Sequence, residues 1–220
     1  MKNKPFVIFI DGADGVGKST LTKTLVSMLS NNHPDVKVGT YDIMRSTDAG
    51  GFIRSAMINE ELDETLRYNG FMYGVFYGLK KLYKTKDRDI IICDRSQATT
   101  YAYNICAPDM SATIKNAQVT LFDDLNTKFF VNHGHQFLNV HLHVDPETAF
   151  TRMKNSRENL DVIEQRGVPF QEQVERGLQS YFNKHAGQAS LLRFHTGSDS
   201  ATPEEISADI IHHLKHRNVV

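Results

Sequence analysis

Phe6-Val7-Ile8-Phe9-Ile10-Asp11-Gly12-Ala13-Asp14-Gly15-Val16-Gly17-Lys18-Ser19-Thr20 is the stretch on which the reading of the whole chain turns. Phe6–Ile10 is an unbroken apolar run without alternation, the mark of a short strand covered on both faces. Directly after it, Gly12–Ser19 matches G-x-x-x-x-G-K-[ST]. Beyond Lys18 the residues Leu21, Leu25, Met28 and Leu29 recur at helical spacing, and the pattern stops near Asn31–Pro34. A chance match in a glycine-containing turn seldom has both a buried strand before it and an amphipathic helix after it. The glycines allow backbone angles that turn several N–H groups inward as a nest for phosphate oxygens. The helix start adds the positive end of its dipole. Lys18 can reach the β and γ phosphates and the Ser19 hydroxyl can ligate Mg²⁺, so Gly12, Ala13, Asp14, Gly15, Val16, Gly17, Lys18, Ser19 and Thr20 are expected to hold a nucleotide's phosphate chain.

Working outward, Val36–Tyr41 reads as a second strand, Asp89–Cys93 as a third, and Phe137–Val144 and Leu191–Phe194 as two more. Glu61–Lys84 is a long aromatic-rich helical stretch and Thr202–Arg217 a closing helix. Strands alternating with helices predict an α/β fold, a five-stranded parallel sheet with helices on both faces, in one domain spanning residues 1–220. Ligands of such sheets lie beyond the carboxyl ends of the strands. The segments after Ile10, Tyr41, Cys93, Val144 and Phe194 are therefore where chemistry is expected.

The 220 residues carry 25 Lys+Arg against 26 Asp+Glu, a net charge of −1. That balance supplies no basic field for duplex nucleic acid, although a few local cations suffice for a small anion. Two cysteines, Cys93 and Cys106, exclude a disulfide scaffold and fit a reducing compartment. No apolar run approaches the ~20 residues of a membrane span, and Phe6–Ile10 is too short for a signal peptide. A cytoplasmic protein without membrane contact is expected.

The phosphate loop alone leaves kinase, GTPase, motor and switch open. A guanine-reading Asn/Thr-Lys-x-Asp segment is absent from the sequence. The third strand ends in Cys93-Asp94-Arg95-Ser96-Gln97-Ala98-Thr99-Thr100-Tyr101-Ala102-Tyr103-Asn104. Here the chain resembles the thymidylate kinases, P-loop deoxynucleoside monophosphate kinases whose signature is D-R-Y-x-x-S-x-x-A-Y-Q, with Asp94, Arg95, Thr99, Ala102, Tyr103 and Asn104 at the matching spacing. Arg45-Ser46-Thr47-x-x-Gly50 resembles the family's loop that holds the acceptor phosphate. Asp145-Pro146-Glu147 through Arg152, Arg157 and Leu160-Asp161-Val162-Ile163-Glu164 resembles the stretch leading into its lid, and Thr196–Glu205 its adenine-side loop.

The resemblance implies a P-loop NTPase fold with a lid at about 155–170, ATP and Mg²⁺ as cofactors, a deoxynucleoside 5′-monophosphate such as dTMP as acceptor, and a homodimer. It assigns Lys18, Asp94, Arg95 and Arg157 to catalysis and Ser19 and Asp94 to the metal. Asp14, Arg45, Tyr68, Phe71, Arg95, Thr99, Tyr103 and Asn104 are assigned to the acceptor, with Asp14 near its sugar. The chemistry is coherent in its own right, because transfer between nucleotides needs two anions brought in line with charge neutralised on both. Arg45 and Arg95 can grip an acceptor phosphate as planar forks, and Arg157, or Arg152, can close from the lid.

Two departures keep other acceptors open. The base-reading arginine that the family carries on its aromatic helix has no counterpart near Tyr73 or Gly74, and Ser96 replaces the tyrosine after Asp-Arg. An acidic-Arg-Ser sequence also occurs in deoxynucleoside kinases, which need a carboxylate base after the second strand, such as Asp42 or Asp48. A modified pyrimidine nucleotide, a hydroxymethylated base in DNA, and a non-catalytic nucleotide switch are the remaining alternatives. His133/His135 and His141/His143 form two H-x-H pairs, for which packing outweighs zinc binding. Cys93 reads as a packed thiol, and Lys80, Lys81, Lys84 and Lys86 as a solvated helix end.

Overall fold

The computed structural model describes residues 4–58, 62–106, 110–129, 136–185 and 190–220. Strands β1 (Phe6–Asp11), β2 (Val38–Asp42), β3 (Ile90–Asp94), β4 (Phe137–His143) and β5 (Ser190–His195) form one sheet in the order β2-β3-β1-β4-β5, with every pairing parallel. The predicted architecture is the observed one. Every residue of β1 is buried, as the unbroken apolar run requires, whereas β2 and β5 lie at the edges and are half-buried. The register brings Asp42 level with Asp94, and Ile10 level with Asp94 on the other side, so the carboxyl ends of β2, β3 and β1 finish on one line.

The helices are α1 (Lys18–Asn32), α2 (Asp48–Met57), α3 (Glu64–Leu82), α4 (Gln97–Thr100), α5 (Ala112–Phe129), α6 (Pro146–Asn155), α7 (Gly167–Lys184) and α8 (Pro203–His216). α1 and α8 pack together as one layer, with Leu21, Leu25 and Leu29 of α1 buried. α3, α5 and α7 form the other, where Phe122 is fully buried and meets Phe76, Tyr101 and Tyr181 edge-on at 5.5, 5.4 and 6.2 Å between ring centroids. Edge-on contacts suit the ring quadrupoles, and truncating such a ring costs about 3–5 kcal/mol. α3 is shorter than the expected Glu61–Lys84 because the Asp63 carboxylate caps it, accepting from the N–H groups of Thr65 and Leu66; residue 61 lies outside the described residues. α2, which the sequence reading did not anticipate, starts where the Thr47 hydroxyl accepts from Gly50 N–H.

Gly70, Gly74 and Gly78 line one face of α3. A Cβ at Gly78 would strike the Ile43 carbonyl, one at Gly74 the Met44 thioether, and one at Gly70 the Met57 sulfur. The missing side chains let the segment after β2 lie against the helix, and the Tyr41 hydroxyl fixes the contact by donating to the Gly78 carbonyl at 3.2 Å. After α4 the chain widens into a π-helical turn at Tyr101–Cys106. The extra residue in such a turn re-aims the side chains that follow, and both Tyr103 and Asn104 reach the cavity beyond the sheet. The expected lid, 155–170, corresponds to Ser156–Ile163 and a 3₁₀ turn at Glu164–Arg166; Phe170 belongs instead to α7, where it is buried.

Candidate active site

A cavity of about 890 Å³ lies beyond the carboxyl ends of β1, β2 and β3, near the upper end of the ~300–1,000 Å³ usual for small-molecule sites. One wall is the loop Gly12–Lys18. Gly15 adopts φ +87°, and a Cβ there would collide with the Ala149 carbonyl, so only glycine fits. Gly17, at φ +98°, precedes α1 without a side-chain cap, and its Cβ position faces open space. The first amides of α1 are thus left for a ligand, whereas Thr202 and Glu205 cap α8 reciprocally. The Lys18 ammonium donates to the carbonyls of Gly12 and Ala13 at 3.0 and 2.7 Å. Burial first and then Arg95 push its pKa down to about 8, against the pull of Asp14, Asp94 and Asp11. A phosphate would restore the ordinary charge. Ser19 and Thr20 line the same wall.

The opposite wall is built from side chains. Arg95 leaves β3 with φ 68°, a strained angle for a non-glycine residue that its N–H secures by donating to the Ile10 carbonyl at 3.0 Å. Its guanidinium donates to Asp14 Oδ1 at 2.5 Å and lies 5.3 Å over the Tyr103 ring, while Nη1 has no hydrogen-bond partner among the described residues. Tyr103 OH donates to Asp14 Oδ2 at 2.9 Å. Burial raises the Asp14 pKa, but Arg95, Lys18, the Tyr103 hydrogen bond and Arg157 together outweigh it and hold the carboxyl well below the usual range. Burial opposes the Arg95 charge too, yet Asp14 more than compensates and the group is raised above its already high pKa. Asp14 is therefore the anion that assembles the cations of the site.

Arg157 lies 3.8 Å from Asp14 and pairs with Glu164. Leu160–Glu164 is a self-capped turn: Asp161 accepts from the N–H groups of Ile163 and Glu164 while Glu164 accepts from Asp161 N–H, each at 3.0 Å. The turn also reaches Arg54 of α2, whose guanidinium sits 3.8 Å from Asp161. Burial first and then Arg45 lower the Arg54 pKa, with Arg95 contributing, so three guanidinium groups share one field. Arg45 lines the cavity, largely exposed, and pairs with Asp42 at 3.3 Å.

Asp94 and Ser19 fit a hard divalent cation. Asp94 Oδ1 is buried, has no hydrogen-bond partner, and belongs to the carboxyl ends that face the loop. Among the described residues no group of three His, Cys, Asp or Glu could enclose a metal. Asp14–Thr20 of the loop line the cavity, with Gly12 and Ala13 just behind them as carbonyl acceptors for Lys18, and Phe71, Asn104 and Arg152 line it too.

Two residues expected at the acceptor have other partners. Tyr68 is buried away from the residues that line the cavity and its hydroxyl accepts from Arg166 at 3.0 Å, so it ties α3 to the turn that precedes α7. Thr99 lines the cavity, but its hydroxyl is committed to Asp11 at 2.7 Å. Asp11 also accepts from the backbone and hydroxyl of Ser96 and so pins α4 to β1. Arg54 was not singled out in the sequence, and Glu164 was read there only as part of the Leu160–Glu164 stretch. Recognising Thr47 as a cap would have put Arg54 on a helix beside Arg45, whereas nothing local marks Glu164 as the partner of Arg157. His133 and His135 lie outside the described residues. His141 pairs with Glu175 at 3.3 Å. The Cys93 thiol is buried and pushed well above its usual range, first by burial and then by Asp11, Asp94 and Asp42. No helix among the described residues is long and apolar enough to cross a membrane.

The family model for thymidylate kinase matches residues 10–192. A thymidylate kinase of Campylobacter hominis is 26% identical over 182 residues, covering 80% of this chain and 85% of that one. With a main-chain phosphate cradle facing a guanidinium wall across the end of a parallel sheet, and with most of its length matched by the family model, the chain belongs to the thymidylate kinase family and is a nucleoside monophosphate kinase.

Proposed function

We propose that the protein transfers the γ-phosphoryl group of ATP, with Mg²⁺, to the 5′-phosphate of a deoxynucleoside monophosphate, dTMP foremost, giving dTDP and ADP. The observation that carries this reading is the facing of two unlike anion sites across one cavity. The amide nest and Lys18 hold the donor's phosphates. Arg45, Arg54 and Arg95 hold the acceptor phosphate, one of whose oxygens attacks the γ-phosphorus in line as the bond to the ADP oxygen breaks. Arg157 neutralises charge on the group in transit. Ser19 and Asp94 would hold Mg²⁺, which when bound would supply further neutralisation at the donor phosphates. Asp14 orients Arg95 and faces the acceptor sugar, Phe71 packs on the base, and Tyr103 and Asn104 close that end.

The Asp42 carboxylate supports a phosphate acceptor over a nucleoside. It already accepts from Met44 N–H and Arg45 N–H at 2.9 and 2.8 Å and pairs with the Arg45 guanidinium, which leaves it poorly placed to take a hydroxyl proton. ADP release measured across nucleoside and nucleoside monophosphate acceptors tests the reading. dTMP should give the highest kcat/KM, and turnover with nucleosides alone would overturn it. The same reading makes the protein a homodimer through α2 and α3, where Phe52, Leu66 and Tyr73 are 77%, 59% and 64% exposed; sedimentation checks this.

A further inference from the structure

The cavity wall on the side of the phosphate loop is completed by the segment that joins β5 to α8. Its first residue is tied down three ways. Thr196 Oγ1 donates to the Val16 carbonyl at 3.0 Å, Thr196 N–H donates to the His143 carbonyl at 2.9 Å, and the Arg152 guanidinium donates to the Thr196 carbonyl at 2.7 Å. The next residues, including cavity-lining Gly197 and Ser200, wrap around one imidazole. His195 Nδ1 lies 2.6 Å from Ser200 Oγ and 3.3 Å from Gly197 N. A backbone N–H can only donate, so Nδ1 is the acceptor and the ring's proton sits on Nε2. A Cβ on Gly197 would lie 2.5 Å from His195 Cε1, so the loop closes on the ring with no room for a side chain.

We propose that His195 is a positioning residue for the donor nucleotide: its imidazole clasps Gly197–Ser200 in the shape that receives the base. The idea rests on the reading above, in which the donor occupies the phosphate-loop side. The groups around His195 are His143 of β4, at 5.3 Å between ring centroids, and behind it His141, at 5.7 Å from His143. Glu175 of α7 is spent on His141, and Arg193, level with His141 on β5, is bonded to Asn183 of α7 at 3.1 Å. Arg152 of α6 sits on the Thr196 carbonyl, and Asp199 lies in the loop itself. Burial above all, then His141, lowers the pKa of His143; Glu175 opposes this, and His195 and Arg193 add to it.

Calorimetric titration of the full chain with ADP tests this in the wild type, His195→Asn and His195→Ala. The asparagine carbonyl can accept where Nδ1 does, so His195→Asn should bind ADP within about twofold of the wild type, whereas His195→Ala should bind it about tenfold more weakly. Pyrophosphate, which needs only the phosphate loop, should bind all three proteins alike. Wild-type ADP affinity in His195→Ala, no rescue in His195→Asn, or a pyrophosphate loss equal to that of ADP overturns the role of His195 alone. Absence of ADP binding to the wild type overturns the reading of the donor site with it.

Discussion

The two walls of the cavity, which the proposed function assigns to donor and acceptor, meet one problem, holding a multiply charged anion, with different materials. The donor wall is main chain: amides of a single loop, shaped by Gly15 and Gly17 and seated against Ala149. The acceptor wall is side chain: Arg45, Arg54 and Arg95 come from three separate segments, and Asp14, reaching across from the donor loop, gathers Arg95 and Arg157. A main-chain wall has few ways to move and tolerates little substitution. A side-chain wall is adjustable, but it concentrates like charges and needs a carboxylate at its centre.

Substitutions that attack one wall and spare the other put this contrast to the test. The largest effect is expected from Arg95→Ala, which removes the acceptor fork and leaves Asp14 without its closest cation. Transfer should fall roughly 10³-fold while calorimetry still detects ADP at near wild-type affinity. Loss of both would merge the two walls into one. Gly15→Ala attacks the donor wall, where the left-handed angle and the Ala149 carbonyl both oppose a methyl group. ADP should bind about 10²-fold more weakly, with the KM for the acceptor little changed.

Next comes pH. Because Lys18 ionises at about 8, ADP affinity should be full below that value and fall about tenfold by pH 9 as the ammonium loses its proton. The stability effect has the opposite sign. Lys18 is depressed from 10.5, so the unfolded chain binds the extra proton between about 8 and 10.5, and folding grows more favourable as pH rises through that window. Weak binding at pH 9 with an undiminished melting temperature would separate the two. The smallest effect is expected from Arg54→Ala, which removes one partly exposed cation of three. It should raise the acceptor KM about fivefold and leave kcat nearly unchanged.

The same contrast explains what could be read from the amino acids alone. The donor wall is contiguous, so Gly12–Thr20 and its flanking strand and helix announced it together, and the continuous apolar runs of β1 and β3 announced a parallel sheet. The acceptor wall is assembled by topology. Arg45 and Arg95 were recognised because each follows a strand, whereas Arg54 lies in the last turn of a helix whose cap, Thr47, had not been read as one. An aromatic on a helix does not declare which side it faces: Phe71 lines the cavity, whereas Tyr68, three residues earlier, is buried against Arg166. The aim of Tyr103 depends on a π-helical turn, which has no hydrophobic period to betray it.

The glycine line on α3 carries a consequence for how this protein can diverge. Ile43 and Met44 rest where side chains at Gly78 and Gly74 would be, and Arg45 is the next residue along. On the proposed function, the helix that would bring Phe71 to the nucleobase and the hook that would grasp its phosphate are fastened together like two jaws on a single rivet. A mutation that enlarged either glycine would not simply reshape the space for the base. It would also carry the phosphate grip outward, so selection for a bulkier acceptor has to find its room elsewhere around the ring.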